Sequence, residues 1–127
     1  MLLNLTDLSD EPLQSQISRQ IRAKILSGDL VAGIMLPSIR KLAREQKVSV
    51  ITVQRGYETL ENEGLIHSRR GKGFFISPLK NNQKKEMAET RLTETLRPII
   101  RNAVDEGMSN QDIERVVADI LNIDEGA

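Results

Sequence analysis

The chain has 127 residues, no cysteine or tryptophan, and 18 Lys and Arg balanced by 18 Asp and Glu. That length suits one average domain, or a small domain with an appendage. Without cysteine there is no disulfide framework and no thiolate metal site, and no apolar run approaches the roughly 20 residues of a membrane span.

The opening MLLNLTDLSDEP carries acids where a signal peptide needs a basic leader, so the protein is expected to be cytoplasmic. The zero net charge hides an uneven distribution. From Arg19 to Gly73 eleven basic residues face five acids, whereas from Leu79 onward seven face ten. A basic segment followed by an acidic one suits a nucleic-acid-binding module joined to a part that does not touch nucleic acid.

In chain order, Asp10 is the expected N-cap of a first helix, with Pro12 in its first turn. Leu13, Ile17, Ile21 and Ile25 then recur every four residues as one apolar stripe, and Gly28 supplies a left-handed C-terminal cap. GDLVAGIMLP is a connector with a short strand around Met35. Ser38 caps a second helix ending near Gln46, with Ile39, Leu42 and Ala43 inward. Lys47 and Val48 make a turn, and Ser49 caps a third helix to about Asn62. There Val53, Tyr57 and Leu60 fall on one arc, while Ile51, Arg55 and Glu58 lie roughly opposite. Leu65–Ser68 and Phe74–Ser77 read as two strands joined by Arg69-Arg70-Gly71-Lys72-Gly73, a basic hairpin whose glycines permit positive φ.

Two helices, a tight turn and a cationic hairpin within about forty residues are the parts of a winged helix-turn-helix, whose second helix enters the major groove. The expected fold is mainly α with a small β wing: a DNA-binding domain over residues 1–78 and a helical dimerisation tail over 79–127.

In that tail, 81–86 reads as polar linker or frayed helix start. Leu92, Leu96, Ile99 and Ala103 follow with four-three-four spacing, the seam of a helix that packs on another helix. Pro98 predicts a kink or break. After Gly107, Ser109 caps a last helix with Asp112 as a capping-box acid. Ile113, Val116, Val117, Ile120 and Leu121 form its apolar face. Two such helices are too small for an independent core, so a second copy is the expected partner, through Leu92, Leu96, Ile99, Ile100, Ala103, Ile113, Val116, Val117 and Ile120.

Candidate DNA contacts follow from these placements. Val50 and Ile51 at the start of the third helix can pack on thymine methyls, Thr52 can donate or accept, and Gln54 has the paired groups that suit adenine. Ser49 and Arg55 flank them. On the second helix Ser38, Arg40 and Arg44, with Lys41 beside them, face the backbone. On the wing Arg69, Arg70, Gly71 and Lys72 suit phosphates or the minor groove. Catalysis is not expected: His67 stands alone, Gly64 to Gly73 has the wrong spacing for a phosphate loop, and no carboxylate pair stands out. Neither a cofactor nor a metal is anticipated.

The same residues resemble the GntR family of bacterial transcription regulators. The resemblance runs through Pro12-Leu13, Ile25 to Leu30, Gly33, Leu36-Pro37-Ser38, Arg40, Leu42-Ala43, Val48-Ser49, Thr52-Val53, Leu60, Glu63 to Ile66 and Arg70 to Gly73. It covers roughly residues 10–77. The short two-helix tail and Thr-Val-Gln-Arg-Gly-Tyr resemble the YtrA-type subgroup, which implies a small dimeric repressor, often encoded beside transporter genes, acting on double-stranded DNA with an inverted-repeat operator. It also implies DNA contact by Arg40, the first turn of the third helix and the wing around Gly71. The family often has arginine at the positions of Val50 and Gln54 and an acid at that of Ile39, so the operator sequence does not transfer from relatives. A ligand, if one acts, is expected to be a weak small-molecule effector held where helices meet. The alternative reading is a winged-helix module that binds protein without sequence-specific DNA binding.

Overall fold

A computed structural model describes residues 1–126, with side chains to Asn122. Helix α1 spans Leu13–Leu26, α2 Ile39–Gln46 and α3 Val50–Asn62. Strand β1 is Ile66–Arg69 and β2 is Gly73–Ile76. Helices α4, Asn81–Asp105, and α5, Asn110–Gly126, follow. The chain divides into two compact units, Met1–Lys85 and Glu86–Ala127.

In the first unit the four-residue repeat of α1 does what its spacing predicts: Ile17, Ile21 and Ile25 are buried where α1 packs on α3, and Leu42, Val53, Tyr57, Leu60 and Leu65 are buried with them in the core. Leu13, at the start of the stripe, is half-buried. Gly56 lies where α1 and α3 come together. A Cβ there would stand 2.9 Å from Cγ2 of Ile17 and 3.3 Å from the Gln14 carbonyl oxygen. Arg22 is 8% exposed and donates two 2.8 Å hydrogen bonds to the Glu63 carboxylate just past α3. A planar guanidinium matches that carboxylate fork, which makes the burial of Arg22 tolerable.

Asp10 does not cap α1. Pro12 occupies the N-cap with extended ψ (146°), and its carbonyl accepts from the N–H groups of Ser15 and Gln16. Without a capping side chain, α1 is anchored instead by the N-terminal segment before it. The buried Gln16 amide accepts from Thr6 N–H and donates to the carbonyls of Thr6 and Glu11. Gln20 makes the same reciprocal pair with Asn4, both at 2.7 Å. Two glutamines one turn apart thus replace a strand partner for the N-terminal segment.

The wing strands pair antiparallel, Ile66 with Ile76 and Arg69 with Gly73, one residue further on at β1 and one earlier at β2 than the sequence pattern suggests. Extra backbone bonds bring in the connector, from Gly33 to Ile76, Leu36 to Phe74 and Ile76 to Ile34, so that Met35 bridges Phe75 as an added edge.

The second unit contains most of α4 and all of α5. The sequence favours a linker or frayed start at 81–86 and a kink or break at Pro98. In the structure α4 begins at Asn81 and runs through Pro98 without a break, so 81–86 is helix start and not linker. Proline removes one backbone hydrogen bond, too little to end a helix bonded in the turns on either side. Ser109 and Asp112 form the anticipated capping box: Ser109 N–H donates to Asp112 Oδ2 at 3.0 Å, and Asp112 N–H to Ser109 Oγ at 3.1 Å. None of the α4 residues is buried.

Candidate nucleic-acid interface

The interface is built on two capped helices and a wing. Ser38 Oγ accepts from Lys41 N–H at 3.1 Å and starts α2, leaving Arg40, Lys41 and Arg44 exposed along it. The turn to α3 needs one left-handed residue, and Lys47 supplies it at φ 57°. A non-glycine there carries a modest strain cost, offset by the bonds of its N–H and of Val48 N–H back to the Arg44 and Ala43 carbonyls.

Ser49 then starts α3. Its Oγ accepts from Thr52 N–H at 3.1 Å and lies 2.7 Å from Thr52 Oγ1. The two hydroxyls thus form one polar unit at the helix N-terminus, where the backbone dipole favours negative charge. Val50 and Ile51 beside it are 45% and 56% exposed. Two adjacent β-branched apolar residues are thus open to water at a helix start. Gln54, Arg55 and Glu58 continue the same open face, while Thr52 is half-buried.

At the wing, Arg70, Gly71 and Lys72 form the tip, closed by Lys72 N–H bonding to the Arg69 carbonyl at 2.9 Å. Gly71 and Gly73 have φ of 73° and 113°, which a side chain would resist. Arg69 is not in the loop. It ends β1, with its guanidinium carbon 4.7 Å from the centroid of the Phe75 ring, and its charge is held against the wing by that ring face. His67 stacks on the same ring at 6.1 Å and pairs through Nδ1 with Ser77 Oγ.

Tyr57 joins these parts, a role its place in the helical stripe does not reveal. Its ring meets Phe74 of the wing edge-on at 5.2 Å, and its hydroxyl donates to the Pro37 carbonyl at 2.8 Å, immediately before α2. Burial pushes the phenol well above its usual range, so the hydroxyl is a donor throughout the neutral range. Ser68 adds a bond from β1 to Glu61 of α3. One aromatic thus ties α3 to both the segment that leads into α2 and the wing.

The anticipated contact residues Ser38, Arg40, Arg44, Ser49, Val50, Ile51, Gln54, Arg55, Arg69, Arg70, Gly71 and Lys72 are all exposed, on one unit. The anticipated dimerisation residues lie in the tail. Leu92, Ile99, Ile100, Val116, Val117 and Ile120 are exposed there, and Leu96, Ala103 and Ile113 half-buried. Along α4 an open, largely apolar groove of about 530 Å³ is lined by Thr93, Leu96, Arg97, Ile100, Arg101 and Val104. Among the described residues no cluster of His, Cys, Asp or Glu could hold a metal, and no helix is long and apolar enough to cross a membrane.

Comparison with known proteins places this geometry. The family model for bacterial regulatory proteins of the gntR family matches residues 13–76. The HTH-type transcriptional repressor YtrA of Bacillus subtilis is 30% identical over 122 residues, 94% of this chain and 92% of the relative. Among solved structures, a transcriptional antiterminator from Listeria monocytogenes covers 94% of this chain and 90% of its own, with 28% identity and a TM-score of 0.74. The AraR DNA-binding domain in complex with an operator matches 61% of this chain and 95% of its own, at 25% identity and a TM-score of 0.53.

Proposed function

The chain belongs to the gntR family of bacterial regulatory proteins, and from that premise we propose that it is a homodimeric repressor acting on an inverted-repeat operator in front of a transporter operon or its own. That it is a DNA-binding transcription regulator follows from the family and its relatives. The observation that carries the finer reading is the open face at the start of α3, where Val50 and Ile51 stand exposed beside the Ser49–Thr52 pair. Such residues gain little in water but match thymine methyls and base-edge polar groups in a major groove.

In this reading residues 1–78 bind DNA. Val50, Ile51, Thr52 and Gln54 read bases, while Ser38, Arg40, Arg44, Ser49 and Arg55 position the helices on the backbone. Arg70, Gly71 and Lys72 bring the wing to phosphates or the minor groove, with Arg69 contributing charge from the wing's base. Residues 79–127 join two copies through the apolar faces of α4 and α5. The protein works in the cytoplasm. A small effector is weakly held along those helices, for which the groove on α4 has space, and it acts only by preferring one dimer geometry over another.

The decisive experiment is selection of bound DNA from a random pool with the intact protein, followed by footprinting. The expected product is an inverted repeat whose half-sites lie about 10 base pairs apart, or a multiple of that, centre to centre. A single asymmetric half-site would count against the dimer, and a pool without any preferred sequence would count against base reading by α3.

A further inference from the structure

We propose that Glu58, one turn behind Gln54 on α3, is a specificity-positioning residue that sets Gln54 to read adenine rather than guanine. The inference rests on the reading that the open face of α3 meets base edges. Gln54 Nε2 donates to Glu58 Oε1 at 3.1 Å, and both side chains are exposed. No interaction of Glu58 with a lysine or arginine occurs among the described residues. Its carboxylate is therefore available to the amide.

The direction of this bond is fixed by chemistry. An ionised carboxylate only accepts, so the amide nitrogen must be the end that faces it. A free glutamine can rotate its amide and offer either two N–H groups or one N–H and one carbonyl oxygen. Guanine presents two acceptors in the major groove, O6 and N7. Adenine presents the N7 acceptor and the N6 donor. Once Glu58 occupies one N–H of Gln54, the amide has one N–H and its oxygen left, which is the adenine complement. Turning it to serve guanine with two N–H groups breaks a charge-assisted bond. In a groove from which water is excluded that bond is stronger than on an open helix.

The test compares random-pool selections by the intact protein and five variants: Glu58→Ala, Glu58→Gln, Gln54→Ala, Thr52→Ala and the double alanine variant of Gln54 and Glu58. Salt slope and thermal midpoint are measured alongside. Glu58→Ala is expected to lower the adenine-over-guanine preference at one base pair per half-site by about tenfold, with salt slope and thermal midpoint unchanged. Glu58→Gln offers both an acceptor oxygen and a donor nitrogen, so it no longer fixes which way the Gln54 amide turns and should keep only part of the preference. In the Gln54→Ala background, Glu58→Ala should change nothing further. A Glu58→Ala profile identical to the parent, while Gln54→Ala alters it, overturns the inference and leaves base reading intact. An equal effect of Glu58→Ala with and without Gln54 also overturns it, since Glu58 would then read a base itself. Loss of preference from Thr52→Ala but none from Gln54→Ala has the same consequence. A parent protein that selects no sequence removes the underlying reading as well.

Discussion

In the DNA-binding unit the apolar stripes end inside the protein, and in the tail they end in water. Ile17, Ile21 and Ile25 are 0–1% exposed, whereas Leu92, Ile99 and Ile120 are 59%, 57% and 53% exposed. Both regions have the same kind of pattern, apolar residues three or four apart on a helix. The difference lies in what covers the face. α1 meets α3, and Gly56 lets them approach closely. No such cover is found for α4 among the described residues, where nothing on the helix is buried. Helical periodicity therefore identifies an apolar face in both units, but the covering surface is inside the chain for one and, in the reading proposed above, on a second copy for the other.

The sharpest way to break that contrast is to charge the tail face. Ile99→Asp combined with Ile120→Asp should yield a monomer by light scattering. Affinity for the inverted repeat should fall by about 10²- to 10⁴-fold, because the second half-site contact is no longer tethered to the first. A dimer that survives both changes would put the interface elsewhere. The matching change in the first unit is Ile21→Ala. There the loss should appear in stability, about 2–5 kcal/mol by urea titration, whereas Leu92→Ala should leave the unfolding of the first unit unaltered. Equal losses from both would mean that the two faces are covered alike.

Within the first unit a smaller contrast separates α3 from the wing. Gln54→Ala or Thr52→Ala should cost about 1–3 kcal/mol on the preferred operator and relax choice at particular base pairs. Arg70→Ala or Lys72→Ala should instead weaken binding to all sequences and lower the salt slope by about one each. Competition binding across a salt series separates them, and a wing variant with altered base preference but an unaltered slope would reverse the assignment.

Much of this was legible because local chemistry decides it. Ser38, Ser49 and Ser109 cap the helices that their positions suggest, and the stripe through Val53, Tyr57 and Leu60 is buried as spaced. The residues that escaped sequence reasoning act over distance. Gln16 and Gln20 look like ordinary helix-surface residues until the N-terminal segment folds onto them. Tyr57 reads as core, and only the fold brings Phe74 and Pro37 to it. Arg69 reads as loop because the end of a strand cannot be placed to within one residue in a four-residue pattern. Gly56 is the plainest case. Helix propensity favours alanine there by about 1 kcal/mol, yet the added Cβ would crowd Ile17 and a backbone carbonyl. Overpacking of that kind costs about 1–3 kcal/mol, so Gly56→Ala should lower stability by roughly 1 kcal/mol, and a gain in stability would show that α1 can move away.

The smallest effect concerns acid, and it again separates the two units. Each has a carboxylate held below its usual range: Glu11 by the hydrogen bond from Arg19, and Asp112 chiefly by the backbone N–H of Ser109, then by its side chain and the charge of Arg115. A carboxylate with a folded-state pKa below its unfolded value stabilises the fold fully above the unfolded value. That contribution disappears as pH falls through the folded one. Ordinary values are 4.5 for Glu11 and 3.8 for Asp112, so both losses fall in the acid range and pH alone does not tell them apart. Substitution does. Asp112→Asn keeps an oxygen that can accept from Ser109 N–H but no longer titrates. It should flatten the part of the acid-induced loss of helical signal that comes from α5, seen by circular dichroism below about pH 4.5. Glu11→Gln should leave that part unchanged and alter only the response of the first unit. Both carboxylates reach water, so water and salt screen them and the changes should be slight. If Glu11→Gln flattened the tail's response as much as Asp112→Asn, the capping box would not be what acid releases in α5.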